Sequence, residues 1–140
     1  MTTGRDAARE EIVHGLCAAA TALDTRDWDA LGAAFTPDAT GYGASGRDAI
    51  VAQVRRHLGG CGPSQHLLGN HRVEVDGDQA RSLTYGRVMH LGKGPTEGLT
   101  YECFGEYEDH WTRTGEGWLI TSRTFRVTIE LGDRSVLRPA

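Results

Sequence analysis

Residues 65–91, "QHLLGNHRVEVDGDQARSLTYGRVMHL", contain the pattern that indicates the fold most clearly. Apolar and polar residues alternate through both halves, and "DGD" at 76–78 separates them, which is typical of two antiparallel strands joined by a glycine turn. A second hairpin of the same kind follows at 99–131, with "GEG" as its turn. The second half of the chain is therefore predicted to be a run of long antiparallel strands.

The register of the first hairpin determines which side chains share a face. We take Val75 to pair with Ala80 across the turn. His66 then lies opposite Met89, and His90 points to the other face, because successive strand residues alternate. Only a bulge or another turn register, shifting one strand by one residue, brings both histidines to one face. Two glycines offer sites for such a bulge: Gly69 and Gly86.

The N-terminal half has helical rather than strand periodicity. Apolar residues recur at spacings of three and four within 6–23 and again within 47–58, which predicts two amphipathic helices. A short helix at 28–35 is expected between them, with Asp27 as its N-cap, and "TPDAT" at 36–40 is expected to be a turn because proline ends a helix. Helices followed by antiparallel strands predict an α+β fold, in which a curved antiparallel sheet folds over the N-terminal helices with a pocket between the layers.

The glycines of "GYGASG" at 41–46 have the G-x-G-x-x-G spacing of a dinucleotide-binding loop. Such a loop requires an apolar strand before it and a βαβ unit around it, whereas "FTPDAT" precedes it here and no parallel strand is expected after the helix. We therefore interpret the stretch as a turn that leads into the helix at 47–58, and we predict no cofactor.

Length and charge limit the classes of function. The chain has 140 residues, which predicts a single domain over residues 1–140, and its net charge of −4 lacks the basic surface of a nucleic-acid-binding protein. No apolar run approaches the roughly 20 residues that span a bilayer, and the first residues are polar, so neither a membrane protein nor a secreted one is predicted. Three cysteines without metal-site spacing are expected to be free thiols in a cytoplasmic protein.

Six histidines are the main candidates for chemistry. They form no HExxH motif and no Cys–His ligand pair, and the chain has no Gly-x-Ser-x-Gly, so neither a metal site nor a serine hydrolase is predicted. His14 and His57 lie on predicted helices beside charged residues and are interpreted as solvated surface groups. His66 and His90, on the long strands, are the stronger candidates.

Four motifs, taken in order, carry a family resemblance: "DTRDWDAL" after the first helix, "QHLLGN" at the start of a long strand, "DGDQA" at its turn and "GEYEDHWTRTGEGW" near the C-terminus. Over residues 8–131 they resemble SnoaL-like proteins of the nuclear transport factor 2-like superfamily, and within it scytalone dehydratase and bacterial bile-acid 7α-dehydratase. The resemblance implies a cone-shaped α+β fold, a homodimer or homotrimer formed through the outer face of the sheet, and a small hydrophobic substrate.

The resemblance also implies the catalytic residues. Asp24, three residues ahead of "DWD", matches the family's catalytic aspartate. His66, in a Gln-His context, matches its first histidine, and His90 in "RVMH" matches its second. The family tyrosine that precedes the aspartate is replaced here by Leu23. Tyr42 stands one position from another family tyrosine and is expected to contact the substrate.

This set of residues suffices for a dehydration beside a carbonyl, which requires a base for the Cα proton and an acid for the leaving hydroxyl. Histidine suits both tasks near neutral pH, and a carboxylate can orient an imidazole and stabilise its protonated form. We therefore predict a cofactor-independent dehydratase of a hydrophobic cyclic hydroxy-ketone of polyketide or steroid type. His66 is the predicted base, His90 the acid or water-positioning partner, and Asp24 the carboxylate that orients a histidine.

Further expectations concern the substrate and the alternatives. Tyr107 is expected to line the cavity and donate its hydroxyl, and Arg126 either pairs with glutamate or holds an anionic group of the substrate. The same catalytic residues would serve a polyketide cyclase or a ketosteroid-type isomerase. A non-catalytic module that binds a small molecule is the third alternative, and a purely apolar cavity would favour it.

Overall fold

Three helices form the first layer of the protein, whose computed structural model describes residues 4–139. They are α1 (Gly4–Thr25), α2 (Trp28–Ala33) and α3 (Arg47–Leu58). Asp27 caps α2 as predicted, because its carboxylate accepts a hydrogen bond of 3.1 Å from the backbone amide of Ala30. No helix within residues 4–139 is long and apolar enough to cross a membrane.

Six strands form one mixed sheet in the spatial order β2–β1–β6–β5–β4–β3. Their bounds are β1 (Phe35–Gly41), β2 (Ala44–Ser45), β3 (Ser64–Asp76), β4 (Gln79–Leu91), β5 (Thr100–Thr114) and β6 (Gly117–Gly132). Neighbouring strands are antiparallel except β1 and β6, which are parallel. Short 3₁₀ turns follow β4 and β6 at Gly94–Thr96 and Arg134–Leu137. The predicted α+β fold is confirmed, with a curved sheet over the N-terminal helices.

The core lies between the inner face of the sheet and the helices. α1 contributes an apolar stripe at helical spacing: Ala8, Ile12, Leu16, Ala19 and Leu23. Trp111 on β5 is the largest fully buried side chain, and its Nε1 donates a hydrogen bond of 2.9 Å to Ser82 Oγ. A Cβ atom at Gly15 would come within 3.2 Å of the Trp111 ring, so a glycine in α1 allows the helix to pack closely on this tryptophan.

The stretch "TPDAT" forms most of β1 and is not the turn that the sequence predicted. Phe35 and Ala39 are buried in the core, and the strand pairs with β6 at Phe35–Ile120 and Gly41–Arg123. The pairing is irregular between Phe35 and Thr40, where Pro37 has no amide hydrogen to donate. The turn was predicted because proline ends a helix, but Pro37 lies here in an irregular strand.

The glycine-rich stretch 41–46 is the tight hairpin between β1 and β2. Tyr42 and Gly43 at its tip have φ values of 53° and 74°, which is the positive-φ pair of a type I′ turn. The strand that follows α3 is β3, and β3 lies at the opposite edge of the sheet from β1. The stretch therefore has no βαβ unit around it, in agreement with its interpretation as a turn.

The first hairpin has the predicted turn but not the predicted register at its far end. Val75 pairs with Ala80, but His66 pairs with Val88 rather than with Met89. The register shifts by one residue between Gly69 and Arg72.

A bulge at Asn70 causes this shift. Asn70 has a φ of 50°, in the left-handed region that asparagine tolerates better than most residues. It follows Gly69, one of the two predicted sites, whereas Gly86 lies in regular pairing. Glycine is required at 86 for another reason, since a Cβ there would lie 2.8 Å from the Tyr107 ring. Because of the bulge, His66 and His90 both face the helices.

Candidate active site

A cavity of about 310 Å³ lies between the helices and the inner face of the sheet. Most of its wall is apolar, formed by Leu23, Val54, Leu58, Val88, Phe125 and Leu137. His66 and His90 line the same cavity, together with tyrosines from the β1–β2 turn and from β5. A small cavity with an apolar wall and a few convergent polar groups is typical of a site for a small cyclic ligand.

Asp24 and His66 form a tight pair at this cavity. Asp24 lies near the C-terminal end of α1, and its Oδ1 is 2.6 Å from Nδ1 of His66. The other carboxylate oxygen accepts a hydrogen bond of 2.7 Å from the His66 amide, and Ser64 Oγ donates to Oδ1 at 2.9 Å. Burial alone would raise the pKa of Asp24, but these hydrogen bonds and the nearby imidazole lower it below its usual value. The carboxylate is therefore ionised at neutral pH.

The hydrogen bond to Asp24 determines which nitrogen of His66 is free. An ionised carboxylate only accepts, so Nδ1 carries the proton and Nε2 of the neutral ring carries a lone pair. Within residues 4–139, Nε2 of His66 has no hydrogen-bond partner in the protein, and no buried side-chain nitrogen or oxygen is left unpaired. Nε2 is therefore accessible from the cavity, in the position of a general base.

His90 lies close to His66 and has the same tautomer for a different reason. Its ring is stacked on Tyr101 at 5.5 Å, and Nδ1 donates to the Tyr101 carbonyl oxygen at 2.9 Å. Its centroid is 6.3 Å from that of His66, with the two rings nearly perpendicular at 81°. Burial lowers the pKa of His90, with the hydrogen bond to Tyr101 opposing that effect, so the ring is neutral at pH 7 and Nε2 is an acceptor.

The two tyrosines predicted from the sequence also line the cavity. Tyr42, at the tip of the β1–β2 turn, receives a long hydrogen bond of 3.4 Å from Arg123. The buried Tyr107 packs on Phe125 with ring centroids 4.3 Å apart, and the guanidinium of Arg123 lies 4.2 Å above its ring. Burial raises the pKa of Tyr107 well above its usual value, so its hydroxyl remains protonated.

Arg126 does not reach this cavity, which corrects the expectation that it contacts the substrate there. It lies on the outer face of β6, and its guanidinium pairs with Glu108 at 3.1 Å and Glu106 at 3.4 Å. Alternation along the strand explains the placement, because its neighbour Phe125 faces the cavity. The other predicted role of Arg126, pairing with glutamate, is the one that the structure supports.

Two features of the site region were missed by the sequence interpretation. His57 lines the cavity, whereas it was interpreted as a surface group, and its Nδ1 donates to the Gln53 carbonyl at 3.0 Å. Its position one turn after the buried Val54 was the available signal. The second feature is a buried ion pair behind Tyr107, in which Arg123 contacts both oxygens of Asp109 at 2.7 and 3.1 Å.

The remaining polar groups of the described residues lack the arrangement that a metal ion needs. Within residues 4–139, no three side chains of His, Cys, Asp or Glu are arranged to hold a metal ion. Cys103 also lines the cavity, but burial raises the pKa of its thiol to about 11. The thiol is thus protonated at neutral pH.

Comparisons with known proteins extend over most of the chain. A family model for the SnoaL-like domain matches residues 5–124. The protein Rv2910c of Mycobacterium tuberculosis is 35% identical over 121 residues, which are 82% of this chain and 82% of that protein.

Solved structures share the fold. A candidate aromatic ring hydroxylase from Novosphingobium aromaticivorans superposes with a TM-score of 0.82 at 28% identity, covering 93% of this chain and 96% of that one. A candidate scytalone dehydratase from the same species gives 0.77 at 21% identity, with 86% and 83% covered. The hexachlorocyclohexane dehydrochlorinase LinA-type3 of Novosphingobium barchaimii gives 0.80 at 17%, with 91% of each chain covered.

Proposed function

Since the chain belongs to the SnoaL-like family of the nuclear transport factor 2-like superfamily, we propose that it is a cofactor-independent lyase. Its substrate is a hydrophobic cyclic hydroxy-ketone, and its reaction is dehydration. One observation carries the proposal: the imidazoles of His66 and His90 each present a free Nε2 to one apolar cavity, and Asp24 holds the first of them.

The first step is removal of the Cα proton beside the substrate carbonyl. Nε2 of His66 accepts this proton, and the electron pair of the C–H bond passes into the enolate. The ionised Asp24, 2.6 Å from Nδ1, stabilises the imidazolium that forms. The hydroxyls of Tyr42 and Tyr107 are the donors available on the cavity wall for the enolate oxygen.

The second step expels the hydroxyl group from the β carbon. The enolate electrons form the new C=C bond as the C–O bond breaks, and the proton on His66 Nε2 passes to the leaving oxygen, which departs as water. His90 is neutral, so its Nε2 accepts a hydrogen bond from the hydroxyl and then from the water. Of the two roles predicted for His90, water positioning fits this tautomer.

The names of two structural neighbours support elimination as the class of reaction. A dehydratase removes water and a dehydrochlorinase removes hydrogen chloride, and both reactions require a base beside a leaving group. These neighbours are 21% and 17% identical to this chain and share its fold, and the geometry of Asp24, His66 and His90 is what supports the proposed reaction.

Incubation with a panel of cyclic β-hydroxy-ketones tests the proposal by mass spectrometry. We expect a product lighter than its substrate by one water, and we expect His66→Gln to abolish its formation while His14→Gln, at an exposed helix position, does not. A product of unchanged mass would overturn dehydration in favour of the cyclase or isomerase alternative. Binding without turnover across the panel would favour the non-catalytic module.

A further inference from the structure

Arg26 occupies a backbone position at the end of α1 where glycine is the usual residue. Its φ is 58°, and the Asp27 amide bonds back to the Ala22 carbonyl at 2.9 Å, which is the hydrogen bond of a Schellman cap. A glycine could adopt this left-handed conformation without the steric strain that a side chain introduces. We therefore expect the contacts of the arginine side chain to offset the strain of this backbone conformation.

The guanidinium of Arg26 has four acceptors around it. Nη1 donates to the Leu23 carbonyl at 2.7 Å and to Ser64 Oγ at 2.8 Å. Nη2 donates to the Gly62 carbonyl at 2.7 Å and contacts Cys61 Sγ at 3.2 Å. One acceptor is on α1 and the other three belong to residues 61–64, so the side chain joins the end of the helix to the start of β3.

The bond from Arg26 also fixes the direction of the Ser64 hydroxyl. Because Ser64 Oγ accepts from Nη1, its hydrogen is directed to Asp24 Oδ1, 2.9 Å away. That oxygen is the one that accepts the hydrogen bond from Nδ1 of His66. Arg26, Ser64, Asp24 and His66 thus form one continuous chain of hydrogen bonds with a single arrangement of protons.

We infer that Arg26 and Ser64 are positioning residues, which hold the Asp24 carboxylate where it accepts the hydrogen bond from His66 Nδ1. The helix that carries Asp24 and the strand that carries His66 are joined at this point by the planar fork of Arg26, which lysine cannot reproduce. The consequence for turnover rests on the proposed function, whereas the effect on the Asp24–His66 hydrogen bond does not.

Proton NMR of the uniformly ¹⁵N-labelled full chain tests the inference without a substrate. A short N–H···O⁻ hydrogen bond gives a far-downfield Nδ1 proton resonance, which the His66→Gln variant assigns by its absence. We expect Arg26→Lys and Ser64→Ala to weaken this resonance or move it upfield. We expect Ser64→Thr, which retains a hydroxyl, and Arg5→Lys, at the opposite end of α1, to preserve it.

Arg26→Gly separates the side chain from the backbone, because glycine removes the guanidinium and relieves the positive φ. It keeps the test decisive if the Arg26→Lys variant unfolds at the helix end, and a native amide spectrum shows that Arg26→Gly is folded. The inference is overturned if the folded Arg26→Gly and Ser64→Ala variants both retain the wild-type resonance.

Kinetics on a turned-over substrate add a second measurement. We expect Ser64→Ala to lower kcat roughly tenfold with KM within about twofold, since the loss concerns the orientation of the base and not substrate contact. An absent activity in the wild type would count against the proposed function and leave the NMR result to decide the inference. Wild-type kcat in a Ser64→Ala variant with a lost resonance would show that the positioning has no role in turnover, and would overturn that part of the inference.

Discussion

Two aspartates, one at the end of α1 and one on β5, are each paired with a nitrogen-containing side chain, and the two pairs differ in whether a lone pair stays accessible. Asp24 holds His66 at 2.6 Å, and Nε2 of that imidazole remains open to the cavity. Asp109 holds Arg123 through two bonds of 2.7 and 3.1 Å, with both side chains 2% exposed or less. Similar pairs thus have different uses, because only the first leaves an accessible lone pair.

The two pairs also differ in what holds their partners together. Asp109 and Arg123 face each other on the adjacent strands β5 and β6, so the sheet ladder itself sets their distance. Asp24 and His66 belong to a helix end and an edge strand, which no ladder connects. The Asp24–His66 pair therefore depends on two further features of the structure, the bulge at Asn70 and the contacts of Arg26.

Removing the charge of Asp24 is expected to have the largest effect on activity. We expect Asp24→Asn to lower kcat by about 10³- to 10⁴-fold, because an amide neither fixes the Nδ1–H tautomer nor stabilises the imidazolium. Asp27→Asn is the matched control, since asparagine caps a helix as well as aspartate does. Steady-state kinetics check the prediction, and equal rates for the two variants would contradict it.

Breaking the ion pair of Asp109 and Arg123 is expected to affect stability. Arg123→Met leaves Asp109 buried without a partner, and we expect the free energy of unfolding to fall by about 3–5 kcal/mol. Arg126→Met, three positions along and exposed, should cost less than about 1 kcal/mol. Urea denaturation of both variants measures the difference, and similar midpoints would mean that the buried pair contributes no more than a surface one.

The bulge can be disturbed without touching either pair. We expect Asn70→Val to lower the free energy of unfolding by about 1–2 kcal/mol, because a β-branched residue disfavours the φ of 50°. Loss of the bulge would also turn His66 away from Asp24 and lower activity, whereas Asn70→Gly should preserve both. An Asn70→Val variant with wild-type stability and kcat would show that the bulge does not depend on this residue.

Mild acid is expected to have the smallest effect on stability. Burial lowers the pKa of His90 in the folded protein below its ordinary 6.5, so the unfolded chain binds a proton more readily. The contribution of neutral His90 to the free energy of unfolding is therefore complete above pH 6.5 and is lost as the pH falls below that value. The free energy of unfolding then falls by at most about 1.4 kcal/mol per pH unit.

His90→Gln should reduce this slope. Part of the slope should remain in His90→Gln, since burial and Arg9 also lower the pKa of His71. Denaturation curves between about pH 5 and 7 provide the measurement, and identical slopes in wild type and His90→Gln would refute the assignment.

The sequence sufficed for the elements that depend on local pattern. Period-two alternation identified the two hairpins, and helical spacing predicted α3 at its observed bounds, 47–58. Asp24, His66 and His90 are proposed from the family resemblance. His66 and His90 line one cavity and Asp24 pairs with His66, which keeps the three as the candidate catalytic set. Their roles remain predictions for the experiments above.

Features that depend on tertiary contacts were beyond the sequence pattern. The regular ladder counted from the turn placed His66 on the wrong face, because the positive φ that asparagine adopts at 70 is one of several conformations open to it. Arg123 and Arg126 lie three positions apart on β6 and therefore face opposite sides of the sheet. The strand pattern alone does not show that the carboxylate opposite Arg123 is the buried Asp109 on β5.

The bulge gives β3 two halves that are out of phase with each other. In the half next to the turn, the odd-numbered residues 71, 73 and 75 face the helices, and in the other half the even-numbered residues 64, 66 and 68 do. Residues near the turn can thus pack into the core while residues at the other end of β3 line the cavity. The inward-facing positions are odd-numbered in the half near the turn and even-numbered in the other half. A substitution that changes the packing of one half does not dictate which side chains the other half presents to a ligand.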